Sequence, residues 1–256
     1  MVNYRTFWVI CGLYFLTLGT STASGMEILK WLASLIEGFG QSININRIPL
    51  YHFPDIWQNL IWFSGLFKIV IAVMVIISIT NEYQYRTLRQ NIIDGLSRWE
   101  FLQTKILTNL VLSVMSVVML FLIIMVTGLI YTPELDAKYI FSDMQFLFAY
   151  FLEIFAFLSY ALMLGVFIQR SGLTIVVLML SHMIEAIIRA NLDDYFPDLM
   201  QFFPMQSISN LESLPFARYA FQEIQDYVSL TAVLIVVGWT FLFNYFSYLK
   251  LKKADI

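Results

Sequence analysis

A chain of 256 residues that is 59% hydrophobic and 13% charged, with a net charge of -3, is not composed like a soluble domain, since soluble domains carry about 25% charged residues. One cysteine, Cys11, excludes an internal disulfide and any multi-cysteine metal site. Basic residues are too few and too dispersed for a nucleic-acid partner, so the composition points to an all-α integral membrane protein.

A spanning helix needs about 20 mostly apolar residues. Six stretches qualify in chain order: Thr6–Met26, Ile56–Thr80, Lys105–Tyr131, Met144–Ile168, Leu173–Ala190 and Tyr227–Leu249. The first is too long for a cleavable signal and lacks a convincing small-x-small cleavage site, so it reads as a span. After it, Glu27–Asp55 places Trp31, Leu32, Leu35 and Ile36 at helical spacing before Gly38 and Gly40. That segment is expected to extend the first helix or to lie on the outer leaflet. Segment Asn191–Asp226 holds Pro197, Pro204 and Pro215 among Phe196, Phe202, Phe203, Met205 and Phe216. Short, partly re-entrant helices suit that mixture, because irregular backbone at membrane depth must be buried in protein or reach water. No interruption is long enough for a soluble domain, so residues 1–256 read as one transmembrane domain.

Lys and Arg in the connections set orientation. With both termini inside, nine of them fall on the cytoplasmic side: Arg5, Arg86, Arg89, Arg98, Lys105, Arg170, Lys250, Lys252 and Lys253. Five fall outside: Lys30, Arg47, Lys138, Arg189 and Arg218. The expected topology is therefore N-in and C-in.

The most polar stretch, Asn81 to Lys105, lies between the second and third spans. On a helix over Glu82–Asp94, Tyr85, Leu88, Ile92 and Leu96 form an apolar stripe, with Arg86, Arg89, Gln90 and Asp94 on other faces. Asp94-Gly95 then predicts a corner, since Gly accepts the left-handed geometry that ends many helices. Ser97 and Glu100 have the spacing of a capping box that would start the next helix. A helix lying among lipid headgroups is the plainer reading of this periodicity. The mixture of acid, base and amide, and the stiff corner, favour a handle for another protein.

These residues resemble the cytoplasmic loop of type 2 ATP-binding-cassette exporter permeases. Glu82 matches the family's acid at the end of span two, and Thr87 its threonine. Gly95-Leu96-Ser97-Arg98 matches the corner, and Lys105 the closing lysine. Arg86 departs from the family, which usually has glycine there. The resemblance implies a permease with a coupling helix seated in a separate ATPase subunit, two permease chains (two copies, or this chain and a paralogue) working together in the plasma membrane. It implies contact with the ATPase through Glu82, Tyr83, Tyr85, Arg86, Leu88, Arg89, Ile92, Asp94, Gly95 and Arg98. Leu88, Ile92 and Leu96 would pack there, Arg86, Arg89, Asp94 and Arg98 would make polar contacts, and Glu82 would fix the helix to the spans. The chain has no G-x-x-x-x-G-K-[ST] phosphate loop. It is thus expected to bind no cofactor itself and to catalyse nothing, with ATP and Mg held by the partner ATPase. A non-transporting scaffold that recruits a cytosolic protein through the same helix is the alternative.

Ionisable groups inside spans cost about 2.5 to 3.5 kcal/mol each at the helix centre, so each requires a reason. Lys68 lies midway along span two and Glu153 in the outer half of span four. They are expected to pair with each other or to line a translocation path. His182 and Glu185 are further path candidates, and Glu185 and Arg189 are spaced to pair on one helix face. A zinc site would need a third ligand, and the other histidine, His52, lies on an outer segment, so no metal is expected.

Overall fold

A computed structural model describes residues 8–20, 22, 24–25, 51–133, 136–192, 195–212 and 227–253. All regular structure among these residues is helical. Helix α1 is Trp8–Thr20. Helices α2 (Ile56–Gly65) and α3 (Lys68–Gln84) form one apolar rod, jointed at Leu66 and Phe67. The short α4 (Thr87–Ile93) leads into α5 (Arg98–Tyr131), which is 34 residues long. A single turn, α6 (Ala137–Ile140), precedes α7 (Gln145–Ile168), and α8 is Ser171–Leu192. A 3-10 turn (Pro197–Phe202) and α9 (Pro204–Ser209) follow, and α10 is Leu230–Lys253.

Five of these segments are long and apolar enough to cross a membrane: Ile56–Gln84, Arg98–Tyr131, Ala137–Ile168, Ser171–Leu192 and Leu230–Lys253. They fall on the expected spans two to six, with ends shifted by several residues. The expected first span is described only as the shorter apolar α1, and most of the expected outer segment 27–55 lies outside the described residues. The later outer segment, described to residue 212, does form short helices. Met205, Ile208 and Leu211 are buried, and α9 packs against α7, α8 and α10.

Helix α7 is the hub. It buries 15 of its 24 residues and packs against α2, α3, α5, α8 and α10. Small side chains let neighbours close in: a Cβ on Gly165 would lie 2.3 Å from Cγ2 of Ile79 on α3. Polar groups then tie the contacts. Asn109 on α5 donates to the carbonyl of Leu158 at 3.2 Å, and Asn244 on α10 donates to Ser159 Oγ at 3.2 Å. Tyr160 and Ser181 of α8 share a bond of 2.8 Å, and the hydroxyls of Tyr14 and Tyr150 lie 3.2 Å apart. Close packing and interhelical hydrogen bonds, rather than the hydrophobic effect, hold helices together in lipid.

The outer helices complete the physical case for a membrane. α8 buries only Thr174, Leu178 and Glu185, and its outward face carries Val176, Met179, Met183 and Ile187. α10 likewise exposes Leu230, Leu234, Val237 and Phe241. Apolar faces of this extent suit acyl chains and not water.

The two ends of the bundle differ in charge. One end gathers the close of α3 and α7, the start of α5 and α8, the close of α10, and α4; there lie Arg86, Arg89, Arg98, Lys105, Arg170, Lys250, Lys252 and Lys253. Among the described residues the opposite end holds only Lys138 and Arg189. That end is aromatic instead. Tyr51 stacks on Tyr131 at 5.2 Å, and Trp57 Nε1 donates to the carbonyl of Ile140 at 2.7 Å.

Candidate functional site

The basic end is built around an elbow. The expected single helix over Glu82–Asp94 is two pieces. α3 closes at Gln84, Arg86 takes the left-handed conformation (φ 56°, ψ 20°), and α4 starts at Thr87. A residue just past a helix end often adopts this conformation, and glycine does so without steric penalty. The departure at Arg86 therefore falls where the backbone wants glycine. Arg86→Gly is expected to raise stability by roughly 1 kcal/mol, the strain relieved at a left-handed position. An unchanged or lower thermal midpoint for the purified variant would contradict this.

The second corner is as the sequence foretold. Gly95 has φ 103°, its N–H donates to the carbonyl of Ile92 at 3.1 Å, and the Leu96 N–H donates to that of Asn91 at 3.0 Å. Together these bonds form a Schellman motif. Ser97 then accepts from the Glu100 N–H at 3.2 Å, while Glu100 accepts from the Ser97 N–H at 2.8 Å. This is the capping box that starts α5.

One carboxylate locks the elbow to the spans. Glu82 at the end of α3 accepts from Lys105 Nζ of α5 at 2.9 Å and from the hydroxyl of Thr87 at the start of α4. Lys105 also donates to Ser78 Oγ at 3.2 Å. Three helices thus meet at Glu82, which fits its expected role of fixing the elbow to the base.

The outward face of the elbow differs from the expected stripe. Leu88 is 2% exposed, and Ile92, Leu96 and Tyr83 are partly buried against the bundle's own core. Leu88, Ile92 and Leu96 turn inward, with α4 in contact with α3. Tyr85 (67% exposed) and Ile93 (75% exposed) point away from the bundle, beside exposed Arg86, Arg89, Asp94 and Gly95. Arg98 is also committed internally. Its guanidinium donates to the carbonyls of Leu251 at 3.0 Å and Lys252 at 2.5 Å, capping the end of α10. Those carbonyls have no intrahelical donor and carry the negative end of the helix dipole.

The second site lies inside the spans. Lys68 Nζ meets Glu153 Oε1 at 2.5 Å, with both residues buried. The ammonium also stands 5.2 Å from the centroid of the Phe157 ring. Gly65 makes room: a Cβ there would come within 2.9 Å of Glu153 Oε2. His182 lies against the same Phe157, centroids 6.3 Å apart, and no hydrogen bond joins it to a neighbour among the described residues.

Glu185 is not paired with Arg189. Its two oxygens accept from the N–H groups of Met205 at 2.9 Å and Gln206 at 2.6 Å, at the start of α9. Free N–H groups at a buried helix start are costly, and a carboxylate satisfies two at once. Nε of Arg189 is buried without a partner. Glu185 is therefore a bracket between α8 and α9 and not a member of the Lys68 group.

The group's third member is Glu212, from the segment Asn191–Asp226 expected to lie outside the spans. It is 7% exposed and reaches Glu153 within hydrogen-bonding range. A usable signal was its place just after Met205, Ile208 and Leu211, which share its buried surroundings. Among the described residues, no three His, Cys, Asp or Glu side chains are grouped to hold a metal ion.

A hub helix, lipid-compatible outer faces and five membrane-length segments define a multi-pass α-helical membrane protein. The chain belongs to the family described as "Protein of unknown function (DUF2705)", whose model matches residues 41–256. No curated protein matches the chain.

Proposed function

We propose that this chain is the permease subunit of an ATP-driven exporter, moved by a separate ATPase that grips the elbow. The observation that carries this reading is the construction of α4. It projects Arg89 and Ile93 outward, beside Tyr85 at the close of α3, while Glu82 joins it to α3 and α5. A force on that face has a stiff route into two spans. A helix meant only to rest in lipid headgroups would turn an apolar stripe toward the acyl chains. Here three of the stripe's four members, Leu88, Ile92 and Leu96, turn into the protein and only Tyr85 turns out.

The charge asymmetry supports an inward-facing elbow, because cytoplasmic loops are enriched in Lys and Arg. The chain then works in the plasma membrane as one of two permease chains, with Mg and ATP in the partner. Lys68 and Glu153 border the route through the bundle in this reading; His182 lies beside them.

The test is purification in mild detergent from the membrane that makes the protein. An ATP-hydrolysing subunit is expected to remain bound. In parallel, Ile93→Cys is treated in intact cells with a membrane-impermeant thiol reagent, since the native Cys11 is buried. Labelling from outside, or a preparation that retains no ATPase, defeats the reading.

A further inference from the structure

We propose that Glu153 and Glu212 share a single proton, and that the pair is a proton-binding site fed from the end of the bundle opposite the elbow.

The chemistry begins with donors. Two ionised carboxylates are acceptors only and cannot bond to one another. Yet the Glu212 carboxyl meets that of Glu153 within hydrogen-bonding range. Both are buried, and each leaves one oxygen, Oε2 of Glu153 and Oε1 of Glu212, with no donor. Lys68 supplies one positive charge, bound to Oε1 of Glu153. With both acids ionised the group carries a net negative charge inside a low-dielectric bundle. One added proton neutralises it and provides the donor that the carboxyl contact lacks. Like charges in contact cannot both persist without water, so the pair retains one proton. Glu212 lies outside the spans, and burial first, then the neighbouring Glu153, push its carboxyl well above the usual range.

Lys68 comes from α3. Tyr150 of α7 and Tyr14 of α1 face the acids. From α8, His182 senses Lys68, Glu153 and Arg189. α2 and α9 contain no ionisable side chain, Lys105 of α5 is bound to Glu82, and the basic residues of α10 lie in its last turn at the other end. Among the described residues, Lys68 is the one cation bound to the pair, and Arg189 of α8 bears on His182.

The proton has a route. A polar cavity of about 410 Å³ is lined by Gln201, Gln206, Ser209, Asn210, Ser229 and Thr231, and Glu212 forms part of its wall. It has room for several waters and the polar partners to hold them. A proton, unlike a hydrated metal ion, needs no space between two carboxyls already in contact. The inference does not depend on an ATPase partner.

The test is infrared spectroscopy of the purified full-length chain in lipid nanodiscs. At neutral pH the wild type is expected to show the carbonyl band of one protonated carboxyl per chain, shifted by exchange into deuterium oxide. Glu212→Gln and Glu153→Gln are each expected to lose that band, because the remaining acid ionises beside Lys68. Helical circular dichroism and a single elution peak verify that each variant is folded, and the wild-type spectrum stands as a test without them. A wild type with no such band, a band that survives in both variants, or one that deuterium oxide leaves unshifted overturns the proposal.

Discussion

Replacing Lys68 by methionine is expected to lower the stability of the purified bundle by about 3 kcal/mol, within the range for removing one partner of a buried ion pair. Methionine nearly keeps the length and fills the space, so the loss is electrostatic. The Glu153 carboxylate would stay buried without the ammonium now bound at 2.5 Å. Its escape by taking up a proton limits the cost, which is why the lower end of the range is expected. The double variant Lys68→Met/Glu153→Leu should recover most of the loss, because two apolar side chains of similar volume need no partner. Glu212 would then hold its proton alone. Denaturant unfolding of both variants, followed by circular dichroism in one detergent, measures this. Equal stability of the single and double variants would show that the ion pair is not what the bundle depends on.

The second large effect concerns the elbow and rests on the proposed ATPase partner. Ile93→Asp is expected to weaken binding of that subunit at least tenfold, the scale of an interface anchor. The same change should leave bundle stability within about 0.5 kcal/mol, as for other surface substitutions. Exposure decides the site: Ile93 is 75% exposed, whereas Leu88, one turn earlier, is 2% exposed. Leu88→Asp should therefore damage folding itself and serves as the contrast. Titrating the purified ATPase onto each variant gives the affinity. Unaltered affinity for Ile93→Asp would remove the elbow's outer face from the mechanism.

The residues differ in how much of this was visible before any coordinates. Hydropathy marked the five long spans because bilayer thickness imposes a length that the chain must spell out. The Lys68–Glu153 pair was legible for a related reason, since a charge within a span must find its opposite. The Ser97–Glu100 box and the Gly95 corner were legible because both are local. What failed was non-local or depended on backbone conformation. Periodicity ran unbroken through Arg86, for nothing in the side-chain pattern reports a left-handed φ. Arg98 looked outward because its acceptors, the carbonyls of Leu251 and Lys252, lie more than 150 residues away. Glu185 had Arg189 four residues on, but the unpaired N–H groups of α9 offered two bonds, and only the fold brings them near. Glu212 stands alone among polar and apolar residues of a segment expected outside the spans, and its burial follows from the packing of the preceding α9 against α7, α8 and α10.

The length of α5 carries a practical consequence. Its 34 residues extend about 51 Å at the α-helical rise, against a hydrocarbon layer of about 30 Å. The surplus is greatest at the Ser97 end, where Arg98, Glu100 and Lys105 are not residues for acyl chains. The polar start of α5 is therefore expected to extend past the hydrocarbon layer, with the elbow attached to it. Under the proposed function, a partner gripping that end would act on a single unbroken helix of 34 residues.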